Sequence, residues 1–210
     1  MGTNRLLNTR YLLSETDPKR LPPSFSEVTF VGRSNVGKSS LICALTEDKK
    51  LARVSKLPGR TRAVNVFEVK PKRWLVDLPG YGFAVAPQKL HDYWPKMIGG
   101  YITLRPNLAM VYILIEADQG VGPLDLSLLH WLHEQNIPCR IVGTKADRLN
   151  QIQQIEKRGT MASSLGLNPE DLYWVSAKMG YGMKELRADV SDTLAAGRIN
   201  PNPLDAGLAE

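Results

Sequence analysis

The sequence predicts an α/β domain three layers deep, with a mixed, mostly parallel six-stranded sheet between two layers of helices. Three observations predict it. Strand-like segments near 26–31, 63–70, 73–77, 108–116, 138–143 and 172–175 alternate with helical patterns along most of the chain. The run from Leu108 to Ile115 is apolar throughout, as a central strand covered on both faces requires. Segments 63–70 and 73–77 are joined only by Lys70-Pro71-Lys72-Arg73, too short for a crossover helix, so they should pair antiparallel as a hairpin.

Taken in order, residues 1–24 carry Pro18, Pro22 and Pro23 and read as an N-terminal arm. A single domain follows over 25–196, and 197–210 reads as a disordered tail. The first strand, Val28-Thr29-Phe30-Val31, hands over at Gly32-Arg33-Ser34-Asn35-Val36-Gly37-Lys38-Ser39, a complete phosphate-binding loop. Glycines there let backbone N–H groups close around phosphate oxygens, Lys38 adds positive charge at the outer phosphates, and Ser39 offers a hydroxyl to Mg²⁺. Leu41, Ile42, Ala44 and Leu45 continue at helical spacing, so a helix points its positive end at the same anion. Nucleotide binding is the leading expectation from the first forty residues.

Strand ends are where such sheets bind nucleotides, so the loops there carry the chemistry. Before the 63–70 strand lies the basic loop Pro58-Gly59-Arg60-Thr61, with Thr61 as candidate second protein ligand of Mg²⁺. After Trp74-Leu75-Val76 comes Asp77-Leu78-Pro79-Gly80. Asp77 is placed to hold Mg²⁺ through a water, and the Gly80 N–H to reach a γ-phosphate. From Pro123, a suitable first helical residue, Leu124, Leu128, Trp131 and Leu132 form one apolar stripe. After the next strand comes Thr144-Lys145-Ala146-Asp147, and after the last Ser176-Ala177-Lys178. The Asp147 carboxylate can accept from guanine N1–H and the 2-amino group. Adenine offers neither donor, and the unpaired carboxylate would disfavour ATP strongly. The Ala177 N–H can meet guanine O6, and the Lys145 stem can lie along the base.

Composition bounds the rest. The chain has 43% hydrophobic and 23% charged residues, no apolar stretch long enough to span a membrane and no secretory leader pattern, so a cytoplasmic location is expected. Cys43 and Cys139 lack framework spacing and are expected to be reduced, buried packing residues. His130 and His133 read as surface residues, since no third metal ligand accompanies them, and Trp94, Trp131 and Trp174 read as packing residues. Tyr81 and Phe83 fall in a segment where either could contact a partner. Between Lys49 and Arg73 nine basic residues face one acid, giving +8; with a net charge of +6, the rest of the chain sums to −2. Such a stretch suits a polyanion such as RNA.

Together these segments resemble the Ras-like GTPase fold, and in detail the EngB group (also called YihA or YsxC) of bacterial ribosome-assembly GTPases, within the TrmE-Era-EngA-EngB-Septin class. The residues carrying the resemblance are 32–40, 58–61, Asp77-Leu-Pro-Gly-Tyr-Gly82, 144–147 and 176–178, and it spans about residues 5–195. It implies GTP and GDP binding, Mg²⁺ dependence held through Ser39, Thr61 and Asp77, a role in maturing the large ribosomal subunit through the basic 49–73 stretch, a link to cell division and septation, and a monomer. The expected nucleotide contacts are Gly32, Arg33, Ser34, Asn35, Val36, Gly37, Lys38, Ser39, Gly59, Arg60, Thr61, Arg62, Ala63, Asp77, Leu78, Pro79, Gly80, Thr144, Lys145, Ala146, Asp147, Val175, Ser176, Ala177 and Lys178.

Two positions depart from the wider pattern. Thr144 stands where many GTPases have Asn, although Thr is usual in this group; a missing tie between base loop and phosphate loop, and a modest affinity, are expected. Tyr81 stands where Ras has the Gln that orients the attacking water. Asn35 matches the residue that, in other GTPases lacking that Gln, helps hold K⁺ beside the phosphates. Hydrolysis is therefore expected to be slow alone and stimulated by K⁺ or a ribosomal partner, with Lys38, Thr61, Gly80 and Asn35 as its residues. A GTP-gated RNA-binding scaffold with incidental hydrolysis is the alternative; an ATP-using phosphotransferase is opposed by Asp147.

Overall fold

The structure, a computed structural model of the chain, describes residues 4–51, 63–81 and 98–198. Seven strands form one sheet: β1 (Arg10–Glu15), β2 (Ser26–Gly32), β3 (Val64–Lys70), β4 (Arg73–Asp77), β5 (Leu108–Glu116), β6 (Cys139–Thr144) and β7 (Tyr173–Trp174). Their order is β1-β3-β4-β2-β5-β6-β7. The pairs β2/β4, β2/β5, β5/β6 and β6/β7 are parallel, while β1/β3 and β3/β4 are antiparallel, the latter being the expected hairpin. Six strands were expected, and the described residues hold seven. The extra one comes from the segment read as an arm, whose residues 10–15 zip onto β3 from Arg10↔Glu68 to Glu15↔Val64. Prolines at 18, 22 and 23 masked it, because they follow the strand and do not interrupt it.

Among the described residues four long helices flank the sheet: α1 (Lys38–Thr46), α2 (Pro123–Glu134), α3 (Gln151–Leu165) and α4 (Met183–Ala196). One core pairs β2, β4 and β5 residues such as Val31, Val76 and Ile113 with Leu128, Trp131 and Leu132 of α2 and Met161 of α3. The other pairs Phe30, Tyr112 and Val142 with Leu41, Ile42 and Leu45 of α1 and Leu186, Val190 and Leu194 of α4. Every residue of β2 is buried, as a strand covered on both faces demands.

The foot of β2 is fixed by Glu27, which is wholly buried and accepts from Arg105 (Nε to Oε1 at 2.9 Å), from Ser24 Oγ at 2.5 Å and from the Tyr101 hydroxyl. The pairing offsets the cost of burying that charge. Trp131 is part of the first core and the half-buried Trp174 packs against that cluster; Trp94 lies outside the described residues. Cys43 and Cys139 are half-buried where full burial was expected, because each sits at the margin of a core cluster. Among the described residues no helix is long and apolar enough to cross a membrane.

Candidate functional site

The site is built where β2, β4, β5, β6 and β7 end. The strand order reverses direction about β2, opening a crevice beyond its carboxyl end. Gly32 closes β2 because a side chain there would meet the Leu114 carbonyl and Val36 Cγ1, each at 2.8 Å. The loop then turns through Asn35 at φ 68° and Gly37 at φ 108°, left-handed conformations that aim successive N–H groups inward and start α1 at Lys38. Lys38 is half-buried; desolvation lowers its pKa, and the Asp77 charge opposes that fall.

Asp77 ends β4 almost fully buried, and burial raises its carboxyl to about 6, with Lys38 pulling the other way. Its Oδ1 is buried without a hydrogen-bond partner among the described residues. A buried acid with an unpartnered acceptor, facing the charge of Lys38 on the first turn of α1, fits a hydrated divalent cation. The turn Leu78-Pro79-Gly80 lies on the phosphate loop: a Cβ at Gly80 would sit 3.0 Å from both Lys38 Nζ and Ser34 Cα.

The base side forms from β6 and β7. Lys145 takes φ 57°, which lets its chain fold back so that Nζ donates to the Asn35 carbonyl at 2.6 Å and pairs with Glu116 at 2.7 Å. Thr144 Oγ1 donates to the Val36 carbonyl at 2.9 Å. The tie expected to be missing is therefore present, because the hydroxyl of Thr144 reaches the phosphate loop from a residue only 4% exposed. Asp147 Oδ1 accepts from Ser176 Oγ at 2.6 Å, and the Ala146 N–H donates to the Val175 carbonyl at 3.2 Å, joining the two base loops. Val36, Gly37, Thr144, Lys145, Asp147, Val175, Ala177 and Lys178 line a cavity of about 340 Å³.

The structure thus brings together the 32–39, 77–80, 144–147 and 175–178 segments. Gly59, Arg60, Thr61 and Arg62 lie outside the described residues, as do Gly82, Phe83 and the tail from 199; Ala63 directly precedes β3 and is buried. Tyr81 is 1% exposed and so offers no surface to a partner. His130 is exposed and 3.5 Å from Glu134, and no cluster of three metal-ligating side chains occurs among the described residues. The basic stretch is divided: Arg73 pairs with Ser26 at the foot of β2, so the Lys70–Arg73 hairpin is at the far end of the sheet from the phosphate loop. Arg53, Lys56, Arg60 and Arg62 lie outside the described residues.

Two residues at the site escaped sequence reasoning. Glu116, which ends β5, gathers Lys145 and Arg148, the latter at 2.8 Å. Asp125, in the first turn of α2, holds Arg33 at 2.8 Å. The available signal was an acid on the apolar face of a helix, in register with Leu128 and Leu132.

Residues 27–145 match a family model described as 50S ribosome-binding GTPase. A probable GTP-binding protein EngB of Halothermothrix orenii is 38% identical over 191 residues, covering 90% of this chain and 96% of the relative. Among solved structures, a probable GTP-binding protein engB superposes with a TM-score of 0.64 at 24% identity, over 81% of this chain and all of that one. Era, in complex with MgGDPNP and nucleotides 1506–1542 of 16S ribosomal RNA, gives 0.55 at 20% identity, over 82% of this chain and 57% of Era.

Proposed function

Because this chain belongs to the EngB family of GTP-binding proteins and is a P-loop GTPase, we propose that the cleft just described takes GTP with its phosphates on 32–39 and its guanine in the cavity beside Asp147. The observation carrying this reading is that base loops and phosphate loop are tied to one another by Thr144 and Lys145, so that one rigid cleft presents both ends of a nucleotide. Asp147, held by Ser176, faces the N1–H and 2-amino donors of guanine, and the Ala177 N–H faces O6.

Hydrolysis proceeds by in-line attack of water on the γ-phosphorus. Lys38 and the backbone N–H groups of the phosphate loop and Gly80 absorb the developing charge, and no side chain acts as base. Ser39, Asp77 and Thr61 would hold Mg²⁺, which when bound neutralises charge on the outer phosphates. Tyr81, buried and committed to Asp125, orients no water, which is consistent with slow unassisted turnover. Asn35 would help hold K⁺ beside the phosphates. Equal turnover in Na⁺ and K⁺ buffers, unchanged in Asn35→Ala, would remove that part.

The same reading makes the protein a cytoplasmic, monomeric switch in large-subunit assembly, on which normal division and septation depend. GTP gates the contact with the partner, and exposed lysines, Lys49, Lys50, Lys70 and Lys72 among them, meet ribosomal RNA; of the two expected switch segments, 47–62 and 78–95, residues 52–62 and 82–95 lie outside the described residues. The description of the matching family model and the +8 stretch support this. Calorimetry with GDP, a GTP analogue and ATP tests the nucleotide assignment: guanine nucleotides should bind and ATP should not. Cosedimentation with ribosomal particles, with GTP analogue against GDP and across a salt series, tests the partner. Rescue of assembly by a variant that binds but cannot cleave GTP would favour the scaffold reading.

A further inference from the structure

Tyr81 closes the Asp77–Gly80 turn with bonds in three directions. Its N–H donates to the Gly32 carbonyl at 3.2 Å, its carbonyl accepts from the Ser34 N–H at 2.7 Å, and its hydroxyl donates to Asp125 Oδ1 at 2.7 Å. Asp125 is 1% exposed, and its other oxygen accepts from Arg33 Nη2 and from the Gly122 N–H, both at 2.8 Å. Arg33 and Tyr81 are themselves opposite one another in an isolated parallel bridge. One carboxylate on α2 therefore grips both sides of the seam between phosphate loop and Leu78–Tyr81 turn. Gly122 leaves the path open, since a Cβ there would come within 1.7 Å of Arg33 Nη2.

We propose that Asp125, acting through the Tyr81 hydroxyl and the Arg33 guanidinium, is a positioning residue for the triphosphate, holding the Gly80 N–H where the terminal phosphate must meet it. The inference rests on the nucleotide placement proposed above. Its selectivity follows from place. The latch bears on Gly80 and Ser34, the part of the seam that the third phosphate meets, while the Val36–Ser39 amides and the guanine cavity, which hold GDP, lie beyond its direct bonds. Charge-assisted bonds to a buried carboxylate are strong enough for their loss to be read in an equilibrium constant.

The test compares the full-length wild type with Tyr81→Phe, which keeps the ring and its packing, and with Asp125→Asn. Calorimetry in Mg²⁺ gives dissociation constants for GDP and for a non-hydrolysable GTP analogue. In each variant the analogue should bind about tenfold more weakly while GDP stays within about twofold, and the Ser34 amide should exchange faster in nucleotide-free protein. An unchanged analogue-to-GDP ratio in both variants, or equal losses for the two nucleotides, overturns the latch. A wild type that binds neither nucleotide overturns the placement beneath it instead.

Discussion

Thr144→Val offers a direct measure of how far the base loop preorganises the phosphate loop. The substitution keeps shape and removes one hydroxyl. That hydroxyl has a single proton, donated to the Val36 carbonyl at 2.9 Å with the Ile115 carbonyl more distant at 3.3 Å, so Val36 loses most. Val36 is 1% exposed, and water cannot replace the lost donor without opening the loop. An orphaned buried carbonyl costs about 1–3 kcal/mol. If half of that falls on the liganded state, GDP affinity drops about 2- to 13-fold, and the rest appears as a lower unfolding midpoint. Calorimetric titration of GDP, with thermal unfolding of the same samples, separates the two shares. Thr144→Ser, which restores the hydroxyl, should recover both. Wild-type affinity and an unchanged unfolding midpoint in Thr144→Val would show that the tie contributes nothing, and the reasoning from its burial would fail.

Asp147→Asn exchanges an acceptor for a donor, so GDP binding should weaken by about 100-fold or more while xanthosine diphosphate, with a carbonyl in place of the 2-amino group, should bind; retained preference for GDP in competition would refute the base assignment. Glu68 is held below its ordinary 4.5 by Arg10, at 3.0 Å from Nε, and by the Lys72 N–H. The unfolded chain therefore takes up the proton first, stability falls as pH drops below 4.5, and Glu68→Gln should flatten that slope in urea titrations at several pH values. At Gly143 a Cβ would lie 2.3 Å from the Trp174 ring, so Gly143→Ala should cost about 1–3 kcal/mol by denaturant unfolding; a cost near zero would mean that the indole moves freely.

How legible these features were depends on how local their causes are. The phosphate loop could be read because glycine spacing, a lysine and an apolar lead-in lie within twelve residues. The hairpin at 70–73 could be read because linker length alone decides it. β1 escaped because its pairing to β3 is fixed by residues 49 to 58 positions away, and its own pattern alternates weakly. Thr144 was misjudged by residue type. With Thr in place of Asn the tie was expected to be missing, but β6 delivers the Thr144 hydroxyl to the Val36 carbonyl, so the contact was set by the backbone. Asp125 shares its helix with a clear apolar stripe, yet its partners lie 44 and 92 positions away, a distance no local pattern covers.

The strand order also dictates a timetable for synthesis. β2, at the middle of the sheet, has no neighbour until Arg73–Asp77 and then Leu108–Glu116 have been made, and β1 must wait for Glu68. At translation rates of about 5–20 residues per second, the first thirty residues stay without a sheet partner for seconds. A product cut short before Leu108 would leave Val28, Phe30 and Val31 open along one flank, and is expected to clump rather than to fold.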